Sequence, residues 1–289
     1  MSRPDASLFV VATPIGNLQD ITLRALEVLG EVDTVVSEHV RKTRNLLDHF
    51  GIKARVLSYR EENAARMGAV IVEMLRHGKS VALVAEAGTP GVSDPGRLLV
   101  RAAREHGFRV VPIPGASALA AAISIAGLDE QRFVFEGFLP RRAAKRRQRL
   151  GELAADQRAT ILFEAPHRLV ECLDDLAGTF GDRPCIVCRE LTKLHEEVER
   201  GTVSGFAARF AAQPPVGEFV IILEGAGGAE AGSGAPQGVS FEEAVREARG
   251  LVAGGQRKKD AAKLVEKRHR LRPGTVYRAL SRARERGDS

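Results

Sequence analysis

Three apolar runs in this chain each stop at a loop of glycine and proline and then give way to a helical pattern. They are "LFVVATPIGN" from residue 8, "VALVAEAGTPGVSDPG" from residue 81 and "VVPIPGASALAAAIS" from residue 110. Short apolar runs bounded by turn residues read as strands buried on both faces. Helical spacing fills the intervals, and Gly30, Gly51, Gly78 and Gly107 stand where those helices should stop. The alternation predicts a mainly parallel sheet with helices on both sides over residues 7–125. Such sheets bind ligands beyond the carboxyl ends of their strands, so the three loops can share one edge.

Beyond residue 126 the pattern loosens. "RFVFEGFLP", "ATILFEAP", "PCIVCREL" and "VGEFVIILEG" read as strands separated by helices of uneven length. They predict a second α/β domain over 126–226, with a more mixed sheet. Residues 227–239 lie in a Gly/Ala/Ser/Pro tract and read as a flexible linker. Residues 240–286 hold three helical pieces, and Ser240 with Glu243 forms a capping box at the first. A chain of 289 residues can bury more than one core.

No apolar run reaches the length of a membrane span, and the first residues do not read as a signal peptide, so a cytoplasmic protein is expected. Three cysteines make no disulfide framework. Cys185 and Cys188 form a C-x-x-C, but on a strand their side chains need not point the same way, and no second pair completes a zinc site. No metal is expected. Lys and Arg number 43 against 37 Asp and Glu. The excess gathers in "RRAAKRRQR" at 141–149 and in the stretch 256–286. Such blocks are either solvated helix faces or a surface for a polyanion such as RNA.

The chain has no G-x-G-x-x-G and no G-x-x-x-x-G-K-[ST], which argues against dinucleotide and nucleoside triphosphate chemistry. A G-x-S-x-G elbow is also missing. In the 86–94 loop, Glu86 and Asp94 are anionic and unsuited to a phosphate. They suit a ligand that carries an amine or a sulfonium. Asp94 and Pro95 read as the cap and first residue of a helix. "LFEAPHRL" puts Glu164, His167 and Arg168 past one strand, and "CRELTK" puts Arg189, Glu190, Thr192 and Lys193 past another. These charges either meet in one cleft or form a surface ion-pair network.

Taken together, "TPIGNLQDIT", "AGTPGVSDPG", "VPIPGASA", "FEGFLPRR", "FEAPHRL", "RELTK" and "GEFVIILEG" resemble, in order and spacing, the tetrapyrrole methylase superfamily. The nearest likeness is to its ribosomal RNA branch, which "RELTK" and "FEGFLPRR" separate from the corrin and siroheme enzymes. The resemblance implies two α/β domains with a cofactor cleft between them and a small C-terminal helical domain. It implies transfer of a methyl group from S-adenosyl-L-methionine to the 2′-hydroxyl of a cytidine in 16S rRNA, at the decoding centre of the small ribosomal subunit. Homodimers are expected.

The cofactor residues implied are Pro14 and Gly16, then Glu86, Ala87, Gly88, Thr89 and Asp94, then Pro114, Gly115, Ala116 and Ser117. The second domain adds Phe163, Leu191, Gly217, Glu218 and Phe219. Catalytic candidates are Glu38, Glu164, Arg189 and Lys193. Expected RNA contacts are Arg41, Arg44, Arg141, Arg142, Lys145, Arg146 and Arg147. The tail adds Arg257, Lys258, Lys259, Lys263, Lys267 and Arg268. Two departures from the family pattern stand out. Glu38-His39-Val40-Arg41 replaces the usual Glu-Asp-Thr-Arg, and Glu86 replaces an aspartate. The competing readings are a tetrapyrrole methyltransferase, which leaves the basic tail without a role, and a non-enzymatic RNA-binding protein, which leaves the three loops without one.

Overall fold

The computed structural model describes residues 6–94, 96–128, 132–226, 241–268 and 275–282. It forms two compact units, Met1–Ala229 and Glu230–Ser289.

The first unit holds two five-stranded sheets. Strands β1 (Ser7–Val11), β2 (Thr34–Ser37), β3 (Val56–Ser58), β4 (Val81–Val84) and β5 (Arg109–Ile113) pair in parallel in the order β3-β2-β4-β1-β5. Every residue of β2 and β4 is buried, which is why these runs show no polar alternation. Neighbours along β4 serve opposite faces: Val81 and Leu83 enter one apolar cluster, Ala82 and Val84 the other.

The flanking helices are α1 (Leu23–Glu31), α2 (Val40–His49), α3 (Ala64–Arg76), α4 (Gly96–Glu105) and α5 (Ala118–Ala126). Thr22 starts α1 by accepting the Ala25 N–H at 3.1 Å. Ser117 starts α5, and Gly127 ends it in the left-handed region at φ 60. The strand order puts β1 between β4 and β5, so the three loops emerge side by side. Two of them are stitched together: Thr13 N–H donates to Gly88 O at 3.0 Å, and Gly88 N–H returns to Thr13 O at 2.9 Å.

The second sheet contains β6 (Phe133–Phe138), β7 (Ala159–Glu164), β8 (Pro184–Arg189), β9 (Glu197–Thr202) and β10 (Phe219–Leu223), in the order β6-β7-β10-β8-β9. β6 and β7 are parallel, and the remaining pairs are antiparallel. One face packs against α7 (Pro166–Phe180) and α8 (Val203–Ala212) through Leu169, Leu173, Phe206 and Phe210. The other face takes α5: Ala122 and Ala126 pack with Ile161, Ile186 and Val220. Helix α5, which precedes the boundary expected at 125, thus contributes to the core of the second sheet. Cys185 lies in the first of these clusters and Cys188 in the second, so the two thiols occupy opposite faces. Burial pushes them up to about 12 and about 11 respectively.

Helix α6 (Ala143–Leu153) carries the basic run, and here the structure corrects an expectation. Arg146 is fully buried rather than facing RNA. Its Nε donates to Asp175 Oδ2 at 2.6 Å, and its Nη2 lies 2.6 Å from Glu171 Oε1, both on α7. The position falls on the inner stripe of α6 with Leu150 and Leu153, so an arginine there must be met by carboxylates, one from largely buried Asp175 and one from the more exposed Glu171. Arg141, Arg142, Lys145 and Arg147 stay exposed.

In the second unit, α9 (Phe241–Ala253), α10 (Lys258–Arg268) and α11 (Thr275–Arg282) gather around Ala244, Ala248, Val265 and Val276. Buried Glu266 accepts the Val276 N–H at 2.8 Å and so caps α11. Arg257, Lys259, Lys263, Lys267 and Arg268 are exposed and Lys258 is half-buried, with Arg268 paired to Glu247. The linker 227–239, Ser240, Pro95 and residues 283–286 lie outside the described residues. Among the described residues no helix is long and apolar enough to cross a membrane.

Candidate functional site

A pocket of about 440 Å³ opens where the loops of the first sheet meet the strand ends of the second. Its first wall is the 86–94 loop, with Glu86, Ala87, Gly88, Thr89, Val92, Ser93 and Asp94. Ile15, Glu38, Ser117 and Ala118 complete that side. The facing wall is Phe138, Phe163, Glu164, Ala165, Pro166, Leu191, Glu218, Phe219 and Val220. One side is therefore carboxylate and backbone, the other largely apolar and aromatic.

Ten of the sixteen expected cofactor residues line this pocket. The other six are Pro14, Gly16, Pro114, Gly115, Ala116 and Gly217. Three of these have visible framing tasks. Ala116 O accepts the Thr89 hydroxyl at 3.3 Å and joins the second and third loops. A side chain at Gly16 would overlap Lys193 Cγ and come within 2.9 Å of Thr192 Oγ1, so this glycine lets the two halves close on each other. At Gly217, with φ 101, a Cβ would lie 2.5 Å from Glu190 Cγ.

Glu190 is the organiser of that corner. Its Oε1 accepts the Lys193 ammonium at 2.8 Å and the Glu218 N–H at 2.9 Å, while its own N–H donates to Glu218 O at 3.0 Å. Lys193 reaches Glu218 as well, at 3.0 Å. Burial works against the Lys193 charge, but hydrogen bonds to Glu190 and Glu218 outweigh it and hold the ammonium above its ordinary value. Lys193 is thus a fixed cation and not a proton acceptor. Arg189 donates to Val216 O at 2.7 Å and pairs with Glu197. Neither Lys193 nor Arg189 lines the pocket, whereas the other two catalytic candidates, Glu38 and Glu164, do. Glu164 is buried, accepts the Ala165 N–H at 2.9 Å and lies 3.3 Å from Arg168 Nη2.

The described non-glycine residues with positive φ are Ser93, Glu190 and Thr192, at 62, 52 and 67. All three sit in the loops that meet at this pocket. Such backbone is held only where its surroundings over-determine it. At Asp94, burial and then the charge of Glu38 push the carboxyl up to about 6. Glu86 lies 2.7 Å from His39 Nδ1 and also pairs with Lys42. His39 and Glu86, one from each of the two stretches expected to depart from the family pattern, are therefore in contact. The sequence marks His39 as a hydrogen-bonding surface or cleft residue but not as the partner of Glu86, because nothing in its spacing shows that β2 lies beside β4. Arg41 and Arg44 are exposed on the same helix as Lys42.

The model of the tetrapyrrole (corrin/porphyrin) methylases matches residues 7–207, which include most of this pocket. The chain belongs to the tetrapyrrole methylase family. Within that family it is 49% identical over 229 residues to the ribosomal RNA small subunit methyltransferase I of Xylella fastidiosa, covering 78% of this chain and 84% of the relative. The protein of that name from Thermotoga maritima is 43% identical over 218 residues, covering 75% and 98%. Among solved structures, the methyltransferase CobJ superposes with a TM-score of 0.58 at 19% identity, covering 76% of this chain and 94% of that one. A uroporphyrin-III-C-methyltransferase from Thermus thermophilus gives 0.55 at 18% identity, covering 78% and 98%. These last likenesses establish the shared family fold.

Proposed function

We propose that this chain transfers a methyl group from S-adenosyl-L-methionine to the 2′-hydroxyl of a cytidine in 16S ribosomal RNA, at the decoding centre of the small subunit. The observation that carries this reading is the set of relatives, 41–50% identical, that bear the name ribosomal RNA small subunit methyltransferase I. The reading includes a homodimer working in the cytoplasm.

The pocket residues fit the cofactor. Its sulfonium and amino groups are cationic, and Glu38, Glu86 and Asp94 line one wall. Its adenosine is flat and partly apolar, and Phe163, Leu191, Phe219 and Val220 line the other. When bound, S-adenosyl-L-methionine supplies a methyl group already activated for transfer. The chain's own work is to align the hydroxyl, exclude water and receive a proton. Asp94 suits the last task, because a carboxyl held near 6 accepts a proton close to neutral pH more readily than an ordinary aspartate. Glu164 also lines the pocket: its Oε1 accepts the Ala165 N–H, while its buried Oε2 lies 3.3 Å from Arg168 Nη2 and accepts no hydrogen bond among the described residues. Exposed Arg41, Arg141 and Arg142 favour the ribose-phosphate backbone around the target.

The test is binding followed by transfer. Calorimetry should show S-adenosyl-L-methionine binding to the purified protein. Labelled methyl should then enter unmethylated small subunits at one cytidine ribose, found by mapping the modified nucleotide. No cofactor binding at millimolar concentration, or methyl transfer to a precorrin and not to RNA, would overturn the reading.

A further inference from the structure

We propose that Phe138 is a stacking platform for a nucleobase of the RNA substrate, a role that rests on the chain being an RNA methyltransferase. Phe138 is 52% exposed although it lines the pocket. The structure shows how it comes to be there. Up to Phe135 the β6 residues pair with β7 one for one, Phe135 opposite Ile161. The register then slips, so that Gly137 faces Leu162 and Phe138 faces Phe163. Side chains alternate along a strand, so one extra residue moves every later side chain to the other face. Without the slip, position 137 would share the pocket face with Phe135, and Phe138 would point away.

The slip is anchored at both ends. Gly137 has φ 69, and any side chain there would overlap Ser93 Oγ on the 86–94 loop. Leu139, just beyond, is buried, and its carbonyl accepts Arg168 Nη2 at 2.8 Å. Phe138 meets Phe163 edge to face, with ring centroids 5.8 Å apart and an interplanar angle of 69°. The ring is thus braced by a neighbour and still half open to solvent.

A half-exposed ring braced at the rim of the pocket offers a flat apolar face that a base can cover. Single-stranded RNA presents unstacked bases, and aromatic side chains are their usual partners. The next exposed side chains along the chain, Arg141 and Arg142, supply charge for the phosphates beside such a base. The adenine ring of the cofactor is also flat, but the more enclosed rings Phe163 and Phe219 already offer it a wall.

The chain has no tryptophan, so Phe138→Trp introduces a single reporter. A short cytidine-containing RNA oligonucleotide should quench its emission, and S-adenosyl-L-methionine alone should not. Phe138→Ala should raise the apparent KM for small subunits by roughly tenfold or more while leaving cofactor affinity by calorimetry within about twofold. Phe138→Tyr should restore it and Phe138→Leu should not. The proposal is overturned if Phe138→Ala leaves the RNA KM unchanged. It is equally overturned if cofactor affinity falls in step with transfer, which makes the ring a cofactor wall. If the wild-type chain neither binds cofactor nor methylates, the proposed function fails on its own, and quenching by RNA still decides the role of the ring.

Discussion

Asp94 has an ordinary carboxyl value of 3.8, and in the folded chain burial and Glu38 move it up to about 6. Folding therefore favours its protonated form. The stability this group contributes is whole below about pH 4 and is lost as pH rises through about 6. A cationic ligand prefers the ionised form, so its binding has the opposite slope. Affinity for S-adenosyl-L-methionine should strengthen between about pH 5 and 7, and calorimetry across that range should show the trend vanish in Asp94→Asn. At Glu86 the expected effect is smaller. His39 and Lys42 are both solvent-exposed partners, and exposed ion pairs such as the one to Lys42 are worth about 0.2–1 kcal/mol. His39→Ala should weaken cofactor binding a few-fold, and the same change made in a Glu86→Gln background should have no further effect.

Among the elements, α6 offers the sharpest contrast. Arg146 and Arg147 are neighbours in the chain, yet one is enclosed and the other is open to solvent. Arg146→Ala removes the buried partner of Asp175 and leaves it only the longer contact to exposed Arg147 at 3.4 Å, so it should cost about 3 kcal/mol in urea denaturation. Arg147→Ala should leave stability nearly unchanged. Counting charge cannot separate the two; only the face each residue takes on the helix can. Much else in the elements was legible in the sequence. Apolar runs and glycine stops located β1, β4, β5 and their helices; β4 is buried on both faces and needs an unbroken apolar run, whereas β5 lies at the sheet edge with only Ile113 buried. The three loops were legible for the same reason, as each one ends such a run. The strand orders were not, because pairing between distant strands leaves no local periodicity. The slip in β6 was hidden too: "FVFEGF" contains the right glycine, but its φ of 69 and its closeness to Ser93 are tertiary facts. Gly217 is a similar case. Gly217→Ala should push the Glu190 carboxylate off Lys193 and Glu218 and so lower both the melting temperature and the rate of methyl transfer.

Over the molecule as a whole, clustered charge sets how the protein meets a large polyanion. Removing one arginine that neutralises a phosphate should lower the slope of log affinity against log salt by about 0.7 for single-stranded RNA. Replacing both Arg141 and Arg142 by alanine should reduce that slope by roughly 1.4 in filter-binding titrations, with little change in cofactor affinity. Removing a tail cation that meets a phosphate should lower the slope by the same amount.

Helix α5 is made of small residues such as Ala122 and Ala126, and it lends its apolar side to a sheet that begins only later in the chain. A polypeptide released at residue 126 would therefore expose a greasy stripe with no counterpart. During synthesis the early half must wait, or be shielded by a chaperone, until the strands from Ala159 onward leave the ribosome. Separate expression of the halves should yield insoluble fragments, while the pair produced together should reassemble.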